Sequence, residues 1–308
     1  MMISKTGGLI AAASKKEAAP LLQIGSIPII KRIVLTFQQA GIFPIVIVTG
    51  TEEFEVKTHL ANCDVIFLHN DNFEAPPLFD SVKIGLDYLQ DKCEKVVFAP
   101  VNVPMFSPST LKQLMETQGD MVTPSYEARG GHPVVIASKI IPELLEYSGE
   151  NGLRGAAATL GERRVWVEVK DEGILHSVHN EEQLFANFEQ HNNALLHSFV
   201  DISLAKENVF FNPRTKLLLF LIHDTNSVKK ACELMALSLG KAWDMLNKLE
   251  KELGYPVVRR RHGGSHGGQT ALTEQGLAFL KAYQRFESNI FRYAQNEFDK
   301  QFHIDNIL

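Results

Sequence analysis

Near the C-terminus, Arg259, Arg260, Arg261, His262 and His266 fall within one short stretch, interleaved with Gly263, Gly264, Gly267 and Gly268. Guanidinium groups at that density suit phosphate oxygens, and the glycines let the backbone come close to a duplex. The same run taken alone also fits a solvated basic hairpin. His262 and His266 offer two imidazoles without a third ligand, which is a poor metal site. Just upstream lie Ser238, Gly240, Lys241, Asp244, Asn247 and Lys248. If they open a recognition helix, these are the side chains that reach base edges in a major groove. Cys63, Cys93 and Cys232 are far apart and form no C-x-x-C pair, so they read as buried free thiols and not as a disulfide framework or zinc site.

The elements that must carry these groups follow from local signals. Arg214 to Ile222 is apolar enough for a core helix. Ser227 and Ser238 stand at N-cap positions ahead of Val228 to Met235 and Leu239 to Leu249, with a tight connection between, which predicts a helix-turn-helix. Pro256 to Arg261 and Gln269 to Thr273 flank the glycine-rich turn as a hairpin, and Thr273 caps a long helix through about Phe298. That order describes a winged helix. Trp243, one turn into the second helix, fits core packing better than base stacking, and Ala231 and Ala242 are small where two helices should meet.

From Gly7 to about Asp201 the rhythm is different. Runs beginning at Gly8, Pro44, Asp64 and Lys95 read as buried strands, separated by helical spacing over Ile27–Ala40, Glu52–Ala61 and Ser81–Leu89. This predicts an α/β, Rossmann-like, mostly parallel sheet, with ligands at the carboxyl ends of the strands, after Ala13, Gly50 and Ala99. Gly131 to Ala137 and Val165 to Val169 extend the sheet, and Glu181 to about Phe199 would close it as a helix. We therefore place a domain over residues 1–207 and a winged-helix domain over 208–308. The first holds 17 basic against 26 acidic residues and the second 14 against 10, within a chain of net charge −5, so an anionic partner belongs to the second. No apolar run approaches the ~20 residues of a membrane span and no leader pattern is present, which predicts a cytoplasmic protein.

Two family resemblances sharpen this. Residues 211–286 resemble the N-terminal domain of ModE-like molybdate-responsive regulators, winged-helix proteins related to the LysR type. Ser227-Val-Lys-Lys-Ala, Leu239-Gly-Lys-Ala-Trp-Asp-Met-Leu-Asn and Gly263-Gly-Ser-His-Gly-Gly-Gln-Thr-Ala-Leu-Thr with Gly276 carry the likeness. No residues follow Leu308 to form the molybdate-binding domains of those regulators, so sensing through them is not expected. Residues 8 to about 186 resemble MobA-like nucleotidyltransferases, which attach GMP or CMP to molybdopterin. Leu9-Ile-Ala-Ala-Ala, Pro20-Leu-Leu-Gln-Ile-Gly, Ser81-Val-Lys-Ile-Gly-Leu, Asn102-Val-Pro and Gly130-Gly-His-Pro-Val are the landmarks.

That second resemblance implies a nucleotide site at Ala11, Ala12, Ala13, Ser14, Lys15, Lys16 and Asn102, and it also shows what has changed. The family's first loop has the approximate form L-A-A-G-x-S-x-R-M-G-x-x-K. Here its first glycine is Ala13, the loop is shorter, and the final lysine falls on Ala19 or Pro20. Lys15 and Lys16 either meet a phosphate or are simply solvated. The family's metal-binding carboxylates fall on Asn102, Ser177 and His179. Because Mg2+ is held by anionic oxygens, the resemblance implies a pseudoenzyme that retains a pocket, with Mg2+ needed only if transferase activity survives. His176 and His179 are surface histidines or, less simply, ligands of a softer metal. The leading expectation is a transcriptional regulator of molybdenum metabolism that binds double-stranded DNA, with a nucleotide or molybdopterin as possible ligand. The alternatives are an active guanylyl- or cytidylyltransferase fused to a DNA-binding domain, and an adaptor that binds neither. Apolar residues along the last helix, with Arg214 to Ile222, predict a homodimer.

Overall fold

The structure is a computed structural model that describes residues 4–13, 20–72, 78–178, 196, 198–261 and 269–302. Two compact units are present, Met1–Leu60 with Val65–Leu196, and Ala61–Asp64 with His197–Leu308. The helix expected over Glu181–Phe199 lies almost wholly outside the described residues.

In the first unit, strands β1 (Ser4–Ala12), β4 (Ile45–Thr49), β5 (Ile66–His69), β6 (Cys93–Pro100), β7 (Met121–Tyr126), β9 (Val134–Ala137) and β10 (Arg164–Glu168) form one sheet in the order β10-β7-β9-β6-β1-β4-β5. The short β8 (Arg129–Gly130) pairs with β7, and β2 (Gln23–Ile24) with β3 (Ile27–Pro28) makes a separate hairpin. All pairs along the main order are parallel except the two made by β9. Buried on both faces, β1 from Gly7 onward and β4 read as continuous apolar runs and not as alternation. Helix α1 (Ile29–Gln39) turns Ile29, Ile30, Ile33, Val34 and Phe37 inward, and α3 (Leu78–Leu89), which follows α2 (Glu53–His59), turns Phe79, Val82, Leu86 and Leu89 inward. A side chain at Gly85 would come within 2.1 Å of Leu9, so α3 lies directly on the central strand. Helices α4 (Pro108–Glu116), α5 (Ile141–Glu146) and α6 (Gly152–Thr159) complete the unit.

The second unit opens with a hairpin that sequence reading did not anticipate, β11 (Leu204–Ala205) with β12 (Val209–Phe211). It pairs residues on both sides of position 207. Three helices follow: α7 (Pro213–Thr225), α8 (Val228–Leu234) and α9 (Leu239–Leu253). Ser227 and Ser238 cap their helices as the sequence predicts, and Asn212 does the same for α7. Asn212, Ser227 and Ser238 each accept a backbone N–H three residues on, and a left-handed Gly254 ends α9. Then come β13 (Val258–Arg261), its partner β14 (Gln269–Leu272), and the long α10 (Glu274–Gln301), capped by Thr273.

Every residue from Thr215 to Ile222 is buried within the chain, so α7 cannot offer the dimer surface assigned to Arg214–Ile222. An apolar run on all sides marks a core helix. Its one interior cation, Lys216, meets both carboxylate oxygens of Glu287 on α10 at 2.9 Å. Where α10 begins, its backbone meets the hairpin: Thr273 N–H donates to the Val257 carbonyl, and a Cβ at Gly276 would lie 2.3 Å from that same oxygen. Gly276→Ala should therefore cost about 1–3 kcal/mol by forcing helix and strand apart. Urea unfolding checks this, and a midpoint equal to the parent's would show that the contact yields freely.

Candidate functional site

At the carboxyl ends of the central strands, Ala11, Ala12 and Ala13 are buried, and the Ala11 carbonyl accepts the Val101 N–H at 3.1 Å. This brings the end of β1 beside the turn after β6, where Asn102 follows Val101. The Asn102 side-chain amide donates to Ser177 Oγ at 2.8 Å, and the Asn102 backbone carbonyl accepts the Val178 N–H at 2.7 Å. Asn102 Oδ1 is buried, with no hydrogen-bond partner among the described residues. Ser14, Lys15, Lys16 and His179 lie outside the described residues.

Nearby carboxylates are committed elsewhere. Asp171 accepts from Ser107 N–H at 2.8 Å, Thr110 Oγ at 2.6 Å and Gly173 N–H at 3.0 Å, which fastens the start of α4 to the turn after β10. Glu168 accepts from Ser125 Oγ and the Glu127 N–H. His176 sits 3.3 Å from Glu172, four residues away. Among the described residues no group of three or more His, Cys, Asp or Glu side chains is placed to hold a metal ion.

His132 lies in the Gly130-Gly131-His132-Pro133 segment leading into β9. Its ring meets Phe98 edge-on with centroids 5.5 Å apart, and its Nδ1 is buried. Burial, with the nearby Arg164 cation adding to it, pushes the imidazole down from 6.5 to about 4. Above pH 6.5 the ring is neutral whether the chain is folded or not. Between 6.5 and 4 the unfolded chain takes up a proton that the folded chain refuses, so stability falls with pH, by about 2 kcal/mol at pH 5. His132→Asn should remove most of that acid-side loss in urea titrations at pH 7 and pH 5. Equal losses in variant and parent would exclude His132 as the cause.

In the second unit, α9 turns Ala242, Leu246 and Leu249 inward and leaves Ser238, Gly240, Lys241, Asp244, Asn247 and Lys248 exposed together. The predicted base-reading residues thus share one solvent-facing arc. Leu239, 47% exposed at the helix start, adds an apolar group that the sequence reading passed over. The arginine cluster is divided. Strand alternation puts Arg259 on the opposite face from Val258 and Arg260, and the Arg260 guanidinium lies 3.9 Å from the centre of the Trp243 ring. Trp243 is half-buried beneath that cation, and not a core residue as expected. The sequence signal was there, since strand period assigns alternate arginines to opposite faces. Glu250, also missed, accepts from the Val257 and Val258 N–H groups at 2.8 and 3.0 Å and holds the hairpin's first strand to α9. The Arg261 side chain, His262 and His266 lie outside the described residues.

Comparison with known families decides the first unit, because the profile of the MobA-like NTP transferase domain matches residues 16–179, more than half of the chain. The chain belongs to the MobA-like NTP transferase domain family. Solved structures agree on the fold. A nucleotidyl transferase from Methanothermobacter superposes with a TM-score of 0.53 at 18% identity, covering 61% of this chain and 98% of that one. A 4-diphosphocytidyl-2C-methyl-D-erythritol synthase from Anaerococcus prevotii gives 0.52 at 13% identity, covering 61% and 98%. The C-terminal region is similar to the transcriptional regulator ModE of Haemophilus influenzae, 30% identical over 95 residues, which is 30% of this chain and 37% of the regulator. It is also similar to the molybdenum-pterin-binding protein MopB of Rhodobacter capsulatus, 32% identical over 88 residues, or 29% and 32% of the two chains. The chain thus spans about a third of the length of these curated relatives.

For a MobA-like chain the Asn102–Ser177 bond bears directly on metal binding. A divalent cation of the Mg2+ type is held by anionic oxygens. At two of the positions where the sequence resemblance expects carboxylates, this chain places an amide and a hydroxyl already bonded to each other. These described residues do not fit Mg2+.

Proposed function

We propose that this protein is a DNA-binding regulator of molybdenum or molybdopterin metabolism in which the MobA-like domain senses a ligand and transfers no nucleotidyl group. The observation that carries this reading is the Asn102–Ser177 hydrogen bond, which fills with a neutral pair the place of two cation-binding carboxylates. Ala11, Ala12 and Ala13 remain as the wall of a nucleotide or pterin cleft, with Ser14, Lys15 and Lys16 following. Likeness to ModE over the C-terminal region supports double-stranded DNA as the partner, with residues 208–308 carrying the contacts, Ser238, Lys241, Asp244, Asn247, Lys248 and Arg259 facing it, and Arg261, His262 and His266 following in the sequence.

The proposal includes a homodimer, now through α10 alone. Phe286 and Tyr293, 47% and 67% exposed, leave apolar surface on that helix that a second copy would cover. Among the described residues no helix is long and apolar enough to cross a membrane, and we place the protein in the cytoplasm with its DNA.

The competing reading, an active guanylyl- or cytidylyltransferase with a fused DNA-binding domain, draws on the family match itself. Pyrophosphate release separates the two. With molybdopterin, Mg2+ and either GTP or CTP, no turnover is expected, and calorimetric binding of nucleotide or molybdopterin should be indifferent to a chelator. Turnover near the ~1 per second of ordinary enzymes would establish the transferase instead.

A further inference from the structure

Helix α9 and the first strand of the hairpin touch at two polar points, and both lie on one side of the helix. Trp243 and Glu250 are seven residues apart, two turns or about 10 Å along the same face. Opposite them, Arg260 seats on the Trp243 ring at 3.9 Å, while the Val257 and Val258 N–H groups donate to Glu250 Oε1 at 2.8 and 3.0 Å. The strand runs back along the helix, so its own rise of about 3.3 Å per residue carries it from the Glu250 contact towards the Trp243 contact. On its far side β13 is held as well, since Arg260 pairs with Thr270, which is buried and donates its N–H to the Asn226 carbonyl at the end of α7.

Resting on the DNA-binding reading, we propose that Trp243 is a positioning residue that, through Arg260, sets the wing's angle against the recognition helix. One rigid unit then presents Lys241, Asp244 and Asn247 to base edges and Arg259 to the backbone. Arg260 spends its cation on the indole face and is not a phosphate contact. Glu250 fixes the near end of the strand, and the Trp243–Arg260 stack fixes the end next to the turn. Freed from the stack, the wing would still carry its charge but would meet the duplex at varying angles. Sequence discrimination would suffer and general electrostatic attraction would not.

The test uses the full chain with two duplexes, one selected by that chain from a random-sequence pool and one scrambled duplex of equal length. Trp243→Phe, which keeps a ring, should bind the selected duplex within about 3-fold of the parent. Trp243→Leu and Arg260→Ala should each weaken it about 10-fold, leave the scrambled duplex within about 2-fold and leave the salt slope unchanged. The double variant should be no weaker than either single. The chain has two tryptophans, so in a Trp166→Phe background Trp243 emission reads the stack without DNA, and Arg260→Ala should change it. Unchanged emission, an additive double variant, or a Trp243→Phe as damaging as Trp243→Leu would overturn the proposal. So would an Arg260→Ala that weakens both duplexes alike and lowers the salt slope by about one. A parent that binds neither duplex would overturn the DNA-binding reading and this proposal with it, and emission would then still report whether the stack itself exists.

Discussion

Raising salt from 50 to 200 mM should weaken binding of the full chain to its preferred duplex by about 1,000-fold, the loss expected when about six phosphates are neutralised and their counterions released. Contacts from Arg259, Arg261 and Lys248, doubled across a dimer, account for that number. Arg259→Ala should weaken binding to all sequences alike and flatten the slope, because a phosphate contact carries no sequence information. Lys241→Ala, at the start of the exposed arc of α9, should instead alter which sequence is preferred. A dimer through α10 predicts an inverted repeat with half-sites about one helical turn, ~34 Å, apart. Salt titrations by fluorescence anisotropy, with light scattering on the same samples, check the set. A slope near zero, or an Arg259→Ala slope equal to the parent's, would remove the wing from the interface. A monomeric mass at micromolar concentration would remove the dimer.

What the sequence made legible was local. Ser227, Ser238 and Thr273 could be placed at helix starts because a cap is a matter of three residues and one hydrogen bond. The parallel sheet was legible because strands buried on both faces stay apolar throughout. The losses came where a side chain's role depends on what packs against it. The run Arg214–Ile222 shows the same apolar character whether it faces a second copy or its own core, and only burial shows that it is core. Arg260 is indistinguishable from its neighbours until β13 turns it towards Trp243. Glu250 reads as one more charge on a solvated helix until the hairpin folds back onto it. In the same way, Asn102 and Ser177 are 75 positions apart, so sequence could mark each as a lost carboxylate but not that the two bond to each other.

That bond sets up the second large expected effect. If neutrality at these two positions is what keeps a cation out, the double substitution Asn102→Asp with Ser177→Asp should tighten Mn2+ binding by about 100-fold, since it places two anionic oxygens where an amide–hydroxyl pair now stands. The singles should do much less. Asp at 102 can still accept a hydrogen bond from the Ser177 hydroxyl, and Asp at 177 can accept one from the Asn102 amide, so each lone carboxylate is quenched by the remaining partner. Two adjacent carboxylates have no such partner and repel each other, which destabilises the apo fold and favours uptake of a dication. Thermal unfolding of the double variant should therefore rise with added Mn2+ while the parent's does not, as ligand linkage requires of a site present only in the folded chain. Mn2+ titration followed by electron paramagnetic resonance gives the affinity directly. An affinity equal to the parent's would mean that the two positions do not converge on one cation site. Recovered affinity without pyrophosphate release would point to the loop at residues 14–19, where the resemblance expects a glycine and a lysine that this sequence lacks.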